Sequence, residues 1–563
     1  MLTLTHAGLA DRSVWEKAGI RLPAFDPAEL ARRTDTRPAW IHFGPGNLFR
    51  GYVADLAQSL IESGDLDTAM VTVKTTPSEI VSIYRAHDNL ALQVKIHVDG
   101  KMDRKVIGSV SECLASYEAA EWARLLEMAT APNLRYISLT ITEKGYQLRD
   151  LDGSWKATTA ADLATGPDGD RPLTETPAIL AAMLVRRSRA DGGPVTFISM
   201  DNFSHNGEKL REAVLDVARV WAADGQITPE TLARIEDPAW AAFPNAVIDK
   251  ITPGPDQRVA DGLAELGLQD LGIHVNKRGQ KLAAFVNTEV PEYLVIEDDF
   301  PGGRIDFGKV GIYLTDRQTV DRFERMKVCT CLNPLHTALA VLGCLLDIPS
   351  IAETMQNPHL VELVRRIGYT EGLPVVTDPG IIEPRDFLDT VVNERFPNPY
   401  VPDVPQRIAT DTSQKLGIRF GETMKVYAAQ GRLDELVAIP FVIAAWVRYL
   451  TGTNDSGEAM TPSPDPLLDE LVPLAKAAAA DPVDGSLDAI LSNETIFRLD
   501  LVKEGLEPRI TGLFRQMLAG PGAVSRTLQE VLAAGRAADR LAGREAPSGA
   551  TEGGGTPVAG GGA

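Results

Sequence analysis

Between Phe323 and His336 the chain reads FERMKVCTCLNPLH, which places Glu324, Lys327, Asn333 and His336 within fourteen residues. A lysine serves as a general base when burial and nearby positive charge bring its pKa from ~10.4 toward neutrality. An asparagine amide and a neutral imidazole can both donate hydrogen bonds to an oxygen that gains negative charge. Together they are the equipment for moving a hydride between an alcohol carbon and a nicotinamide without a metal. The same residues also suit the polar face of an ordinary helix, and the motif alone does not choose between the two.

What must position these groups is a change of pattern along the chain. Over the first half, apolar runs at 40–43, 69–73, 90–98, 105–110, 136–141 and 195–200 read as strands. Helical periodicity runs over 52–63 and 176–189, with Pro177 in the first turn of the second. This alternation predicts an α/β fold with a doubly wound, mainly parallel sheet. From about residue 315 helical stretches dominate, at 320–327, 337–346, 351–367, 384–396, 413–429, 435–450, 466–479 and 523–541. The expected organisation is an extension over 1–36, a Rossmann-like NAD(P)-binding domain over 37–314 and a mostly α-helical domain over 315–546. A glycine-rich tail over 547–563, with nothing to bury, is expected to be disordered.

The first strand runs into GPGNLFRGY. Gly44 and Gly46 allow close approach of a pyrophosphate, and the helix that follows offers unpaired N–H groups and a positive dipole end. Asn47, Leu48, Phe49 and Arg50 complete the candidate cofactor contacts, with Arg50 placed for a phosphate or simply on the surface. The third glycine of the usual pattern is missing, since its position holds Phe49; an ordinary strand-to-helix turn reads the same way. The second strand ends in Lys74, Thr75 and Thr76, without the carboxylate that marks NAD preference. Lys74 suits a 2′-phosphate or a solvated strand end, so the cofactor is read as NAD with NADP open.

The 563 residues are 44% hydrophobic and 24% charged, enough for at least two domains. With 77 acidic against 56 basic residues the formal charge is -21, which repels nucleic acid and anionic membrane. An anionic substrate would need a local cluster of Lys and Arg. Cys113, Cys329, Cys331 and Cys344 are too few for a disulfide framework, and the middle two read as core thiols. No spacing makes a convincing metal site; Glu297, Asp298 and Asp299 read as an exposed acidic turn. The N-terminal residues lack the pattern of a signal peptide. The longest apolar runs, 337–346 and 436–447, fall short of the ~20 residues of a spanning helix. A cytoplasmic protein is expected, with its oligomeric state open.

Taken in order, GPGNLFRG, TITEKGY, DNFSHNG, FPNAVIDKITP, VIEDDFPGGR, FERMK, LNPLH and RIATDTSQKL resemble the polyol-specific long-chain dehydrogenases, the mannitol dehydrogenase family, over roughly residues 37 to 545. The resemblance implies a metal-independent oxidoreductase in which Lys327 is the general acid/base. It assigns proton gating to Glu324, the reacting oxygen to Asn333, His336 and Asn202, and the rest of the sugar to Asp249, Arg407 and Lys415. Glu143 would serve the proton path or the substrate. Glu143 and Asp249 also suit plain structural roles, and His205 and Asn206 suit a turn and helix start. Two departures stand out. Six positions separate Lys327 from Asn333 where the family commonly has five, and a bulge in the helix would absorb the extra residue. Ile408 follows Arg407 where a polar residue is usual in mannitol enzymes.

Arg407 and Lys415 suit a carboxylate. The expected reaction is therefore reduction of D-fructuronate to D-mannonate, with fructose/mannitol or tagaturonate as alternatives. A non-catalytic nucleotide or sugar sensor is the remote alternative, disfavoured because a sensor need not keep a proton-transfer lysine.

Overall fold

The computed structural model describes residues 2–268, 270–277, 279–401 and 403–543, so the tail 547–563 lies outside the described residues. The chain forms two compact units, the first made of Met1–Glu324 with Pro379–Ile381 and the second of the remainder.

The first unit is organised by a six-stranded, all-parallel sheet. From edge to edge its strands are Val110–Ala115, Met70–Lys74, Trp40–Phe43, Tyr136–Leu139, Val195–Ser199 and Ala241–Ala242. Numbered within the sheet along the chain, the order is 3-2-1-4-5-6, that of a doubly wound dinucleotide-binding fold. Because side chains alternate along a strand, the two faces feed separate cores. Ile41, Phe43, Val71 and Val73 pack with the helices Ala119–Ala129, Thr176–Arg189 and Asn206–Ala223. Trp40, Met70, Tyr136 and Ile198 pack instead with Ala54–Glu62 and Ile80–Ala86.

Two expectations are revised. Residues 105–110 are not one strand: Met102–Ile107 joins a separate four-stranded sheet, and Val110–Ala115 returns to the main one. Gly108 makes that corner, where a Cβ would meet Pro27 at 2.8 Å. Nor do residues 1–36 stand apart. Ile20–Arg21 pairs with Met102–Ile107, and Trp15 is fully buried.

The second unit is largely helical. Its centre holds Asn333–Leu345 and Ala438–Leu450, both almost entirely buried. The expected helix over 351–367 is interrupted: Asn357 caps a fresh start at Pro358 with a 3.0 Å bond to the His359 amide. One helical run, Arg317–Leu345, spans 29 residues and is long and apolar enough to cross a membrane, longer than the sequence reading allowed. In the fold 78% of its apolar window is buried inside the protein, as in a core helix.

The packing of this unit includes a buried ion cluster. Arg366 pairs with Asp539 at 2.6 Å and with Glu371 at 3.4 Å. Glu371 in turn accepts from the amides of Val437, Ala438 and Ile439, capping the central helix. Arg366→Met leaves both carboxylates buried without their cation. The expected loss is about 3–5 kcal/mol in urea unfolding; a loss within error of wild type would show the cluster to be energetically idle.

Candidate active site

In the first unit a cleft of about 610 Å³ opens at the carboxyl ends of the parallel strands. It is lined by Gly44 to Leu48, Arg50, Lys74 to Thr76, Thr140 to Thr142 and Thr252, among others. Gly44 has φ 110° and lies so close to the neighbouring strand that a Cβ would meet Thr140 O at 2.2 Å. Only glycine fits there.

Arg50 is not a surface residue: it is 2% exposed. It donates to Ala283 O at 2.6 Å and Asn47 Oδ1 at 2.9 Å, while its buried Nε has no hydrogen-bond partner. A buried guanidinium left partly unsatisfied beside a glycine turn and a helix N-terminus suits a pyrophosphate. Phe49 needs correcting. It is fully buried, stacks on His42 with centroids 4.2 Å apart, and does not line the cleft. Its apolar ring is used inside the core. His42 was missed altogether; burial drives its pKa down to about 3, and its ring nitrogens bond Ser138 and Thr140 at 2.7 and 2.9 Å. Thr140 passes this order to the glycine turn through Gly44 O at 3.1 Å.

The motifs TITEKGY and DNFSHNG are locked to each other. Asp201 accepts from the amides of Ile141 at 3.0 Å and Thr142 at 2.7 Å and from the Tyr146 hydroxyl at 2.7 Å. Thr142 has φ 68° and ψ 158°, a region almost reserved for glycine, so the carboxylate holds a strained peptide at the cleft wall. Asn206 donates to Ser199 O, Asp201 O and Ala246 O, and starts the helix Asn206–Ala223 after a left-handed His205. That frame leaves Asn202 exposed. Ser204, also unnoticed in the sequence, donates its hydroxyl to Glu324. Asp249 ends the strand Ala246–Asp249 and is 5% exposed. Glu143 is exposed, 3.8 Å from Lys209. Glu297 and Asp298 are spent on Arg317 and Arg304, at 3.1 and 2.7 Å. Among the described residues no group of three or more His, Cys, Asp or Glu side chains is arranged to hold a metal.

In the second unit Lys327 is buried, 3% exposed, and begins a π-helical turn, Lys327–Cys331. The Leu332 amide bonds back five residues to Lys327 O at 3.1 Å. This is the bulge that the extra residue called for. At about 100° per residue, nine residues of unbroken α-helix would carry His336 to the face opposite Lys327. Looping one residue out leaves them about 80° apart. Cys329 and Cys331 are buried free thiols, as expected.

Asn333 Oδ1 and His336 Nε2 are buried polar atoms without a hydrogen-bond partner. His336 Nε2 lies 3.0 Å from Asp403 Oδ2. Burial, reinforced by Arg419 and Arg395 and opposed by Asp403, lowers the pKa of His336, which keeps the ring neutral. A carboxylate at that distance favours the tautomer protonated on Nε2, the one N–H that a neutral imidazole carries. Asp403 also takes Arg407 Nη2 at 2.6 Å, so the charge of Arg407 already has an acidic partner. Lys415 donates to Thr410 O; burial and then Arg419 lower its pKa. Asp403 and Arg419 carried no sequence signal of their own, since each acts only through what folding puts beside it.

Family models match both parts of the chain: a mannitol dehydrogenase Rossmann domain over residues 38–307 and a mannitol dehydrogenase C-terminal domain over residues 319–517. A D-mannonate oxidoreductase of Thermotoga maritima is 44% identical over 540 residues, 94% of this chain and 99% of the relative. A mannitol 2-dehydrogenase of Cereibacter sphaeroides is 30% identical, covering 82% and 90%. Among solved structures, the Pseudomonas fluorescens mannitol 2-dehydrogenase ternary complex with NAD and D-mannitol aligns at TM-score 0.68 and 28% identity, covering 94% of this chain and 100% of that one. A D-sorbitol dehydrogenase in substrate-free form aligns at TM-score 0.76 and 26% identity, covering 91% and 98%. The chain belongs to the mannitol dehydrogenase family and is an oxidoreductase.

Removing the Asp201 carboxylate should release the strained Thr142 peptide and deform the cleft. Asp201→Ala is expected to lose about 2–4 kcal/mol of stability, from three unsatisfied donors. NADH affinity, followed by fluorescence titration, should weaken as well. Unchanged affinity would separate the latch from the cleft.

Proposed function

We propose that this protein interconverts D-fructuronate and D-mannonate with a nicotinamide cofactor. One observation carries the chemistry. The buried Lys327 stands at a π turn, and the next helix carries a buried Asn333 Oδ1 without a hydrogen-bond partner and His336, whose Nε2 lies 3.0 Å from Asp403. Buried polar groups are almost always paired, so the open Asn333 amide points to a polar ligand. The substrate follows from the relative at 44% identity, whose name is D-mannonate oxidoreductase.

When bound, the nicotinamide supplies the hydride to the ketone carbon. Gly44, Gly46 and Arg50 would hold its pyrophosphate, and Asn47 and Leu48 its surroundings. Lys327 gives its proton to the ketone oxygen in reduction and takes it back from the alcohol in oxidation. Asn333, through its amide N–H, and the neutral His336, through Nε2–H, donate to that oxygen as negative charge grows on it. Glu324, held by Ser204, relays the proton onward. The parts the resemblance assigns to Asn202, Asp249, Glu143, Arg407 and Lys415 belong to this proposal. The four buried free thiols fit a reducing, cytoplasmic setting.

At the end of the strand Met70–Lys74 the cleft is lined by Lys74, Thr75, Thr76 and Ser78, with no carboxylate among these four. We infer NAD(H) as the cofactor with NADP(H) also accepted, because nothing in this set repels a 2′-phosphate.

Absorbance assays with fructuronate, tagaturonate and fructose, each with NADH and NADPH, test the reading. Fructuronate should be reduced fastest; turnover of fructose alone would overturn the choice of substrate. Lys327→Ala should lower kcat by about 10²–10⁴-fold while NADH still binds; wild-type turnover in that variant would refute the role. Lys74→Ala should reduce kcat/KM for NADPH by about tenfold, the worth of one lost charge-assisted contact, and leave NADH nearly unaffected. Equal effects on both cofactors would remove Lys74 from the 2′ site.

A further inference from the structure

Among the described residues no carboxylate lies within salt-bridge distance of Arg419, although its guanidinium is substantially withdrawn from water. Burying an unpaired cation is costly, and proteins usually meet the cost in one of two ways. The first is an acidic partner, as Arg366 has in Asp539. The second is a full set of backbone carbonyls. Arg187 takes this course with Gly193, Ala129, Ala131 and Leu134, at 2.7 to 3.0 Å, and Arg448 does so with Met517, Thr453 and Asn454.

Arg419 does neither. Its side chain makes one hydrogen bond, to Thr337 Oγ1. Its other N–H groups are not among the sealed, unpartnered atoms of the interior, so they face accessible space. That single bond fixes where the group sits: Thr337 follows His336 directly and bonds back to Asn333 O at 3.0 Å. The two cations nearest in the motif are differently placed. Arg407 is held by Asp403 at 2.6 Å, and the Lys415 amine is bonded to Thr410 O. Arg419 therefore carries a positive charge beside His336 that has no acidic counterpart within salt-bridge distance among the described residues. Burial brings its pKa down to about 10, still charged at neutral pH. A planar guanidinium of this kind recognises a carboxylate through two parallel N–H bonds.

We propose that Arg419 binds the carboxylate of the sugar acid and is the residue that favours a uronate over a neutral ketose. Lys415 supports it as a second positive charge. The assignment rests on the fructuronate reading above and deepens it.

Steady-state kinetics of the full-length wild type, Arg419→Gln and Arg419→Lys, each with fructuronate, tagaturonate and fructose, test it. For Arg419→Gln, KM for the uronate should rise by about 30-fold, the effect of one charge-assisted bond, with a smaller change in kcat. The ratio of kcat/KM for uronate over fructose should fall by about the same factor. Arg419→Lys, which keeps the charge without the fork, should recover part of the loss. NADH titration reports whether each variant keeps a folded first unit. Thermal shift by mannonate against mannitol reads the second unit directly, and Arg419→Gln should lose the mannonate shift selectively. An unchanged uronate KM, or equal losses on uronate and fructose, overturns the assignment while leaving the substrate reading intact. A wild type that reduces fructose but no uronate overturns both.

Discussion

The second unit depends on a π turn that brings His336 within about 80° of Lys327 around the helical path. An unbroken α-helix cannot do this at the spacing of Lys327 and His336. The extra residue must be looped out where the neighbouring structure tolerates a wider turn. That tolerance is built from further π turns. Arg366–Gly372 and Gly417–Gly421 both pack on Lys327–Cys331. Glycine permits the close approach of the first: a Cβ on Gly372 would strike Thr330 at 2.7 Å. The helix that carries Lys327, the turn that carries Arg419 and the turn that carries Glu371 are thus one packed assembly within this unit.

Charge placement follows a related logic. The chain is strongly acidic overall, yet particular arginines are withdrawn from water without acidic partners. Arg187 and Arg448 are saturated by carbonyls and stiffen the fold. Arg50 and Arg419 are left partly unsatisfied, each next to a glycine-dependent turn. A protein of charge -21 attracts an anion only through such local sites, where low dielectric strengthens the attraction. Asp403 sets the balance among the cations of the second unit. It engages the guanidinium of Arg407 at 2.6 Å and lies 3.0 Å from Nε2 of the neutral His336.

In the first unit, order is carried to the cleft by buried polar chains rather than by the cleft residues themselves. His42, Ser138 and Thr140 reach Gly44 O, and Asp201 reaches the strained Thr142. The first starts on a strand buried on both faces and the second just past the end of one, where any buried polar side chain must find a partner. The partner available is the neighbouring strand, and from there the turn that follows it.

By itself the sequence determined the short apolar strands that become the parallel sheet, the switch to helices near residue 315, and the short motif around Lys327 that ties the chain to its family. These are local properties, written in spacing and in runs of like residues, and Thr176–Arg189 and Ala523–Leu541 were readable to the residue. The need for a bulge after Lys327 was also legible, as a count of one residue too many. Tertiary structure alone decided that Phe49 serves the core and not the cofactor, that residues 1–36 join the first unit, and that Asp403 and Arg419 flank His336. Each of those outcomes depends on desolvation and on partners far away in the chain. Whether a charge is paired is a property of its surroundings, which only folding assembles.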